Sequence, residues 1–290
     1  MSTERKIVGI SLLRNEEYFA FWSIANAVDF CDEFLVVDNQ SDDRTGEKLE
    51  ALRALHPRIT IHKSEDPNTS HRYIQDYAGE DVWIFGVDGD EIYDPEGLAR
   101  LRLRILSGEF DAHWCLAGYM LHAVRMDLEA GQASGYISPH TPRGTKLYNF
   151  GLLESWVQPD RERLHGHSMK FRPGHSKKDV FDLFAEAPWE ACDMRCVHLC
   201  FFPRSSADTV APVHRKNPFE LRARGVRKLH NYVKSFLATP FSSEAGYKTR
   251  RYRRGEIVTR DITAFGQPDR WAPFDPQANE AERVLSIPRG

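Results

Sequence analysis

Through the first third of the chain, short apolar runs alternate with stretches of helical periodicity. Lys6-Ile7-Val8-Gly9-Ile10-Ser11-Leu12-Leu13 reads as a first strand, closing on Arg14-Asn15-Glu16-Glu17. Apolar and aromatic positions then recur at helical spacing from Tyr18 to Phe30, and Glu33 to Asp38 is a second strand. The polar loop from Asn39 to Thr45 caps a helix over Gly46 to His56, followed by a short strand from Arg58 to His62. A helix around Ser70 to Ala78 precedes the most apolar run of all, Val82-Trp83-Ile84-Phe85-Gly86-Val87. Strands alternating with helices at this pace specify βαβ units and a parallel sheet.

The pattern loosens further on. Glu96 to Leu106 is an amphipathic helix, and Phe110 to Met126 reads as a long strand pair containing Trp114, Tyr119 and His122. Gly131 to Pro142 is rich in Gly, Ser and Pro and is expected to be a loop over the active site. Thr145 to Phe150 is strand-like, and Val197 to Phe202 alternates like a strand. Helical character returns from Phe219 to Leu237, and the last ~30 residues, with four prolines, read as an extended tail.

The run from Val82 to Val87 suits a strand buried on both faces of an α/β sheet. Asp88-Gly89-Asp90-Glu91 then emerges at its C-terminal end, where open α/β sheets bind ligands. Asp88 and Asp90, two apart, can face one side, and Gly89 permits close approach. Two hard oxygen ligands there suit Mg2+ or Mn2+ carrying a diphosphate, against the plainer reading of an acidic turn after a core strand.

Bulk properties narrow the class. At 290 residues and 41% hydrophobic content the chain can bury a sizeable core, and no apolar run approaches the ~20 residues of a membrane span. Met1 to Lys6 leads straight into a strand and not into a signal peptide. With five cysteines, an odd number, reduced thiols in a cytoplasmic protein are expected. Cys192, Cys196 and Cys200 stand four apart, which is not the C-x2-C spacing of structural zinc. Net charge is -3, but residues 214–260 hold 13 Lys/Arg against 3 acids, leaving about -13 elsewhere. That asymmetry, with Arg250-Arg251-Tyr252-Arg253-Arg254 inside it, suits either an anionic partner or a solvated helical face.

Leu13-Arg14-Asn15-Glu16-Glu17, Val36-Val37-Asp38-Asn39-Gln40-Ser41-Asp42-Asp43-Arg44-Thr45 and Val87-Asp88-Gly89-Asp90-Glu91 resemble, in order and spacing, the three signatures of family 2 glycosyltransferases. The resemblance covers about the first third of the chain. It implies a GT-A type α/β fold, a doubly wound mixed sheet with helices on both faces, occupying 1–210. Residues 1–95 would be its nucleotide-binding half and 96–210 its acceptor half, with 211–290 a basic helical C-terminal extension and tail. A G-x-G-x-x-G loop is absent, which argues against a dinucleotide enzyme.

The implied activity is metal-dependent transfer of a sugar from a nucleotide-diphospho sugar, UDP-linked by default, to an acceptor hydroxyl with inversion. Backbone near Leu12 would line the base pocket, and Asp38 and Arg72 would hold the nucleoside. Asp88, Asp90 and His198 would carry Mn2+ or Mg2+, with His167 the rival histidine, and Lys146 would reach the diphosphate. Glu154, beside Trp156, is the leading acceptor base; Asp179 and Asp193 are the others considered. The acceptor stays open. A nucleic acid or a lipid-linked anion would suit the basic segment, and a nucleotide-sugar-binding module without transferase activity is the rival class. Oligomeric state is not legible.

Overall fold

The structure is a computed structural model, and it describes residues 5–156, 164, 168–209, 212, 215 and 251–266. Four parallel strands come first. β1 (Lys6–Leu13), β2 (Glu33–Asp38), β3 (Ile59–Lys63) and β4 (Val82–Gly86) lie side by side in the order β4-β1-β2-β3. β4 is buried at every position, as a continuous apolar run in a two-sided sheet should be. Gly86 stands beside Ile10 and Asp38 beside Leu13, so β1, β2 and β4 all deliver their following loops to one edge.

Helices α1 (Ala20–Val28), α2 (Thr45–Leu55) and α3 (Pro95–Leu106) follow β1, β2 and the acidic turn. α3 begins as its sequence dictates: Asp94 accepts from the Glu96 amide at 3.0 Å, and Pro95 takes the first position, where its missing N–H costs nothing. All three pack on one face, where Phe21, Ile24, Leu49, Leu52, Leu98 and Leu101 meet Ile7, Phe34, Trp83 and Phe85.

The opposite face differs from expectation. Val8, Ile10, Val82 and Ile84 are covered by Ile74, Trp114, Phe150 and Trp156, and no α-helix lies there among the described residues. The helix expected at 70–78 is two 3-10 turns, Pro67–Tyr73 and Gln75–Tyr77. Asp66 accepts from the Asn68 amide, and Ser70 Oγ donates to the Pro67 carbonyl. Such local bonds compete with an α-helical ladder.

The second half of the sheet is antiparallel in most pairings. β5 (Glu91–Tyr93) precedes α3, and β6 (Cys115–Asp127) is one strand of 13 residues, not the expected pair. β7 (Gln132–Ile137) occupies much of the expected loop, and β8 (Gly144–Asn149) runs antiparallel to β4. Gly135 explains the misreading: a Cβ there would stand 2.1 Å from the His122 carbonyl oxygen, so the residue that resembles a loop signal is needed for strand approach.

β9 (Leu153–Trp156) and β10 (Met169–Phe171) form a separate hairpin, and β11 (Val180–Asp182) pairs with β6. β12 (Arg195–His198) lies between β5 and β6, ending earlier than the expected run to Phe202. The described part of the basic segment adds β13 (Ile257–Asp261) against β7. The main path reads β13-β7-β6-β8-β4-β1-β2-β3. Trp22 and Asn26 of α1 both donate to the Phe265 carbonyl, fixing this late strand to the first helix. The helix expected at 219–237 and the tail after Gly266 lie outside the described residues, while the start of that expected tail is a 3-10 turn, Thr263–Phe265.

Candidate active site

The loops after β1 and β2 are knitted together at the C-terminal edge. Asn15 and Gln40 hold φ of 53° and 54°, the left-handed region that non-glycine residues seldom occupy. Asn15 accepts from the Asp42 amide at 2.7 Å, and its own amide donates to Ser41 Oγ. Asp38 is buried, and its Oδ1 accepts from the Ser41 amide and hydroxyl at 3.0 and 2.6 Å. It caps this loop, and the loop holds it at the edge. Leu12 is buried and stands opposite Val37, one position before the Leu13–Asp38 pair.

The turn after β4 is the centre. A Cβ on Gly89 would lie 2.8 Å from Glu16 Cγ and 2.9 Å from Leu13 Cδ2, so glycine is required for the post-β1 loop to close against the two aspartates. Asp90 and Glu91 are buried, and Asp88 is partly exposed. Each aspartate has a cation. Lys146 Nζ, carried alongside β4 by β8, stands 2.6 Å from Asp88 Oδ2 and 3.0 Å from Glu91 Oε1. Arg204 reaches Asp90 Oδ2 at 2.8 Å and Glu16 Oε1 at 3.0 Å. Arg215 adds 3.6 Å to Glu16 and donates to the Arg14 and Asn15 carbonyls.

Electrostatics follow from this packing. Burial acts to raise the Asp90 carboxyl, but Arg204 and His198 outweigh it and hold Asp90 well below the usual range. For Glu16 burial wins, pushing it up to about 7 against the pull of Arg204 and Arg215. Burial likewise raises Glu91, with Lys146 opposing. Four carboxylates and three basic side chains thus occupy one partly desolvated volume.

His198 stands at the end of β12 with Nε2 3.5 Å from Asp90 Oδ2. Its other nitrogen faces away: Nδ1 is 2.9 Å from His122 Nδ1. Register places this pair directly, since His198 lies beside His122 across parallel β12 and β6. Tyr252 stacks on the His122 ring at 4.3 Å, and Arg253 lies 4.9 Å over Phe201, so the basic cluster borders this region.

The structure therefore brings Asp88, Asp90, Lys146 and His198 together, with Asp38 and Leu12 along the same edge. Glu154 is not among them. Its side chain is exposed on the β9-β10 hairpin and ion-paired with Lys170 at 2.8 Å. That hairpin abuts Gly79, which precedes β4, whereas Asp88 follows it. A β-strand's length separates them, because β8 runs antiparallel to β4 and carries the chain back to the wrong edge. Asp179 caps Ser176, and Asp193 pairs with Arg100 and Arg104. Arg72 is exposed on the turn after β3. His165 and His167 lie outside the described residues.

Glu16, Arg204, Arg215 and His122 are site residues that the sequence does not single out. Glu16 stood within a quoted signature and Glu91 completed the acidic triplet. Arg204 and Arg215 offered no local signal, since their partners are remote in sequence.

No family model and no curated protein matches the chain. Partial likenesses to solved structures exist. Glucosyl-3-phosphoglycerate synthase from Mycobacterium tuberculosis, in complex with Mn2+, UDP and glucosyl-3-phosphoglycerate, is 17% identical over 40% of this chain and 44% of that one, with a TM-score of 0.30. The mannosyltransferase PcManGT from Pyrobaculum calidifontis, in complex with GDP-Man and Mn2+, is 16% identical over 42% and 36%, also at 0.30. Mannose-6-phosphate isomerase from Helicobacter pylori is 13% identical over 50% and 60%, at 0.30. The chain thus spans less than half the length of the first two, and likenesses this distant carry no weight for fold or activity. Among the described residues, no helix is long and apolar enough to cross a membrane.

Proposed function

We propose that this chain transfers a sugar from a nucleotide-diphospho sugar to an acceptor hydroxyl. One observation carries the reading. Asp38, Asp88 and Asp90 leave β2 and β4 at the same sheet edge, beside the loop after β1, which is where a parallel α/β sheet presents a nucleotide. Asp38 and the Leu12 backbone are the nucleoside side of that edge. Asp88 and Asp90 are the diphosphate side.

The donor set at Asp88 and Asp90 fits a hard divalent ion, Mn2+ or Mg2+, since both offer carboxylate oxygens to one turn. When bound, such an ion stabilises charge on the departing diphosphate. Lys146 and Arg204 hold the same oxygens in the structure, so metal and diphosphate are expected to bind together. Asp88 and Asp90 would hold the ion, and Lys146 and Arg204, which now pair with them, would be available to the phosphate oxygens. His198 Nε2 backs Asp90 on its buried side. Glu154 has no part in this reading, because it stands at the opposite edge.

The position of Arg251 to Arg254 favours an anionic acceptor, a nucleic acid or a lipid-linked phosphate, since Tyr252 and Arg253 pack on His122 and Phe201. Transfer to a nucleic acid would weaken steeply with salt.

The test is a panel of nucleotide sugars with Mn2+, read by thermal shift and donor hydrolysis for wild type and Asp90→Asn. A single donor is expected to stabilise the wild type by about 2.7 kcal/mol at 100 times Kd. Both responses should disappear in the variant. A folded wild type that responds to no nucleotide sugar overturns the reading.

A further inference from the structure

His122, His198 and Cys200 come from β6, from β12 and from the turn after β12, and all three are buried. Their ligand-type atoms lie within 4.8 Å of one another, and the two Nδ1 atoms are already 2.9 Å apart. No spacing rule joins residues 122, 198 and 200. The parallel register of β6 and β12 does, with the thiol two residues beyond.

We propose that these three side chains bind a borderline-soft divalent ion of the zinc type, distinct from any hard ion at Asp88 and Asp90. The ion takes the Nδ1 lone pairs of His122 and His198 and the Cys200 thiolate, leaving one tetrahedral position open. Two protons leave on binding, the thiol proton and the one shared between the imidazoles.

Three observations support the assignment. The donor set is two nitrogens and one sulfur, which suits zinc and not Mg2+ or Mn2+. Tetrahedral Zn–N and Zn–S bonds place ligand atoms roughly 3.3–3.6 Å apart, a small adjustment from the present spread. The outer contacts are also those of a metal centre. His122 Nε2 faces the Pro142 carbonyl at 3.4 Å, which turns its Nδ1 lone pair inward, and His198 Nε2 faces Asp90 at 3.5 Å. A carbonyl or carboxylate behind each ligating imidazole fixes its orientation. Tyr252 lies flat on His122 and edge-on to His198, closing the site with the basic segment.

The site does not depend on the nucleotide-sugar reading, and its test separates the two. The full chain, stripped with chelator, is titrated with Co2+ alone and then challenged with Zn2+. A thiolate-to-cobalt charge-transfer band and intense tetrahedral visible bands are expected, saturating at one ion per chain and displaced by Zn2+ but not by Mn2+. Cys200→Ser should lose the charge-transfer band. His122→Gln should lose the tetrahedral bands, with folding of each variant checked by thermal unfolding. Asp90→Asn should keep the band while weakening Zn2+ roughly 10–100-fold, as loss of an outer partner does. Asp88→Asn should lose any donor response and leave the cobalt spectrum intact. A folded wild type with no charge-transfer band, or a band that persists in Cys200→Ser, overturns the proposal.

Discussion

Arg104 and Arg204 each gather several carboxylates, and they could hardly differ more in setting. Arg104, on α3, holds Glu109, Glu186 and Asp193 at 2.5–2.9 Å, with two of those acids more than a third exposed. Arg204 holds Glu16 and Asp90 with every partner nearly buried. Water and salt screen the first network, and an apolar helix surface would serve the fold nearly as well. The second carries the full cost of desolvation, and well-packed apolar residues often replace such clusters without loss. Under the proposed function, that buried charge stands where the diphosphate and its metal would bind.

Breaking the interior cluster should have the largest effect. Arg204→Met leaves Glu16 and Asp90 buried without their shared cation and is expected to cost about 3–5 kcal/mol in urea unfolding. A loss below about 1 kcal/mol would show that the cluster is wet and that it resembles the Arg104 network after all.

Glu16→Gln sharpens the same point through pH. An acid raised in the folded state to about 7 from 4.5 holds its proton longer than in the unfolded chain. Stability therefore falls as pH rises between those values and levels above them, by about 3 kcal/mol for Glu16. Denaturant midpoints measured from pH 4.5 to 8 should show that fall in the wild type and a flatter profile in the variant. A wild-type profile rising across the window would contradict the burial of Glu16.

On the surface, Arg104→Ala should cost at most about 1 kcal/mol, part of it from packing over Phe110, and the cost should shrink in high salt. Least of all, Glu154→Gln should leave both stability and donor response at wild-type values. Loss of donor hydrolysis in that variant would return the hairpin to the active site.

Much of the first half was legible because a parallel strand buried on both faces must be an uninterrupted apolar run. Its end can then be located to within a residue or two. β1, β2, β4, α1, α2 and α3 all lie where the pattern places them, and with the strand ends came Asp38, Asp88 and Asp90 at one edge. The helix expected around Ser70 to Ala78 is instead two 3-10 turns, because the local side-chain bonds of Asp66 and Ser70 compete with an α-helical ladder. Past residue 110 most strand pairings are antiparallel and several strands carry glycine, and Gly131 to Pro142 resembles a loop because Gly135 is shaped by the strand beside it.

The sequence by itself determined which carboxylates stand at the C-terminal edge of the parallel strands, since each is fixed by the end of its own strand. It could not determine their partners. Lys146 is 58 residues from Asp88, Arg204 meets Glu16 from the far side of the sheet's sequence, and His122 meets His198 across 76 residues. Those pairings arise from strand order and register, and Glu154 was lost to the site for the same reason. A carboxylate next to a tryptophan says nothing of which edge its strand will reach. Local propensity sets where an element begins and ends, and only the closed sheet decides which charges must share a dry volume.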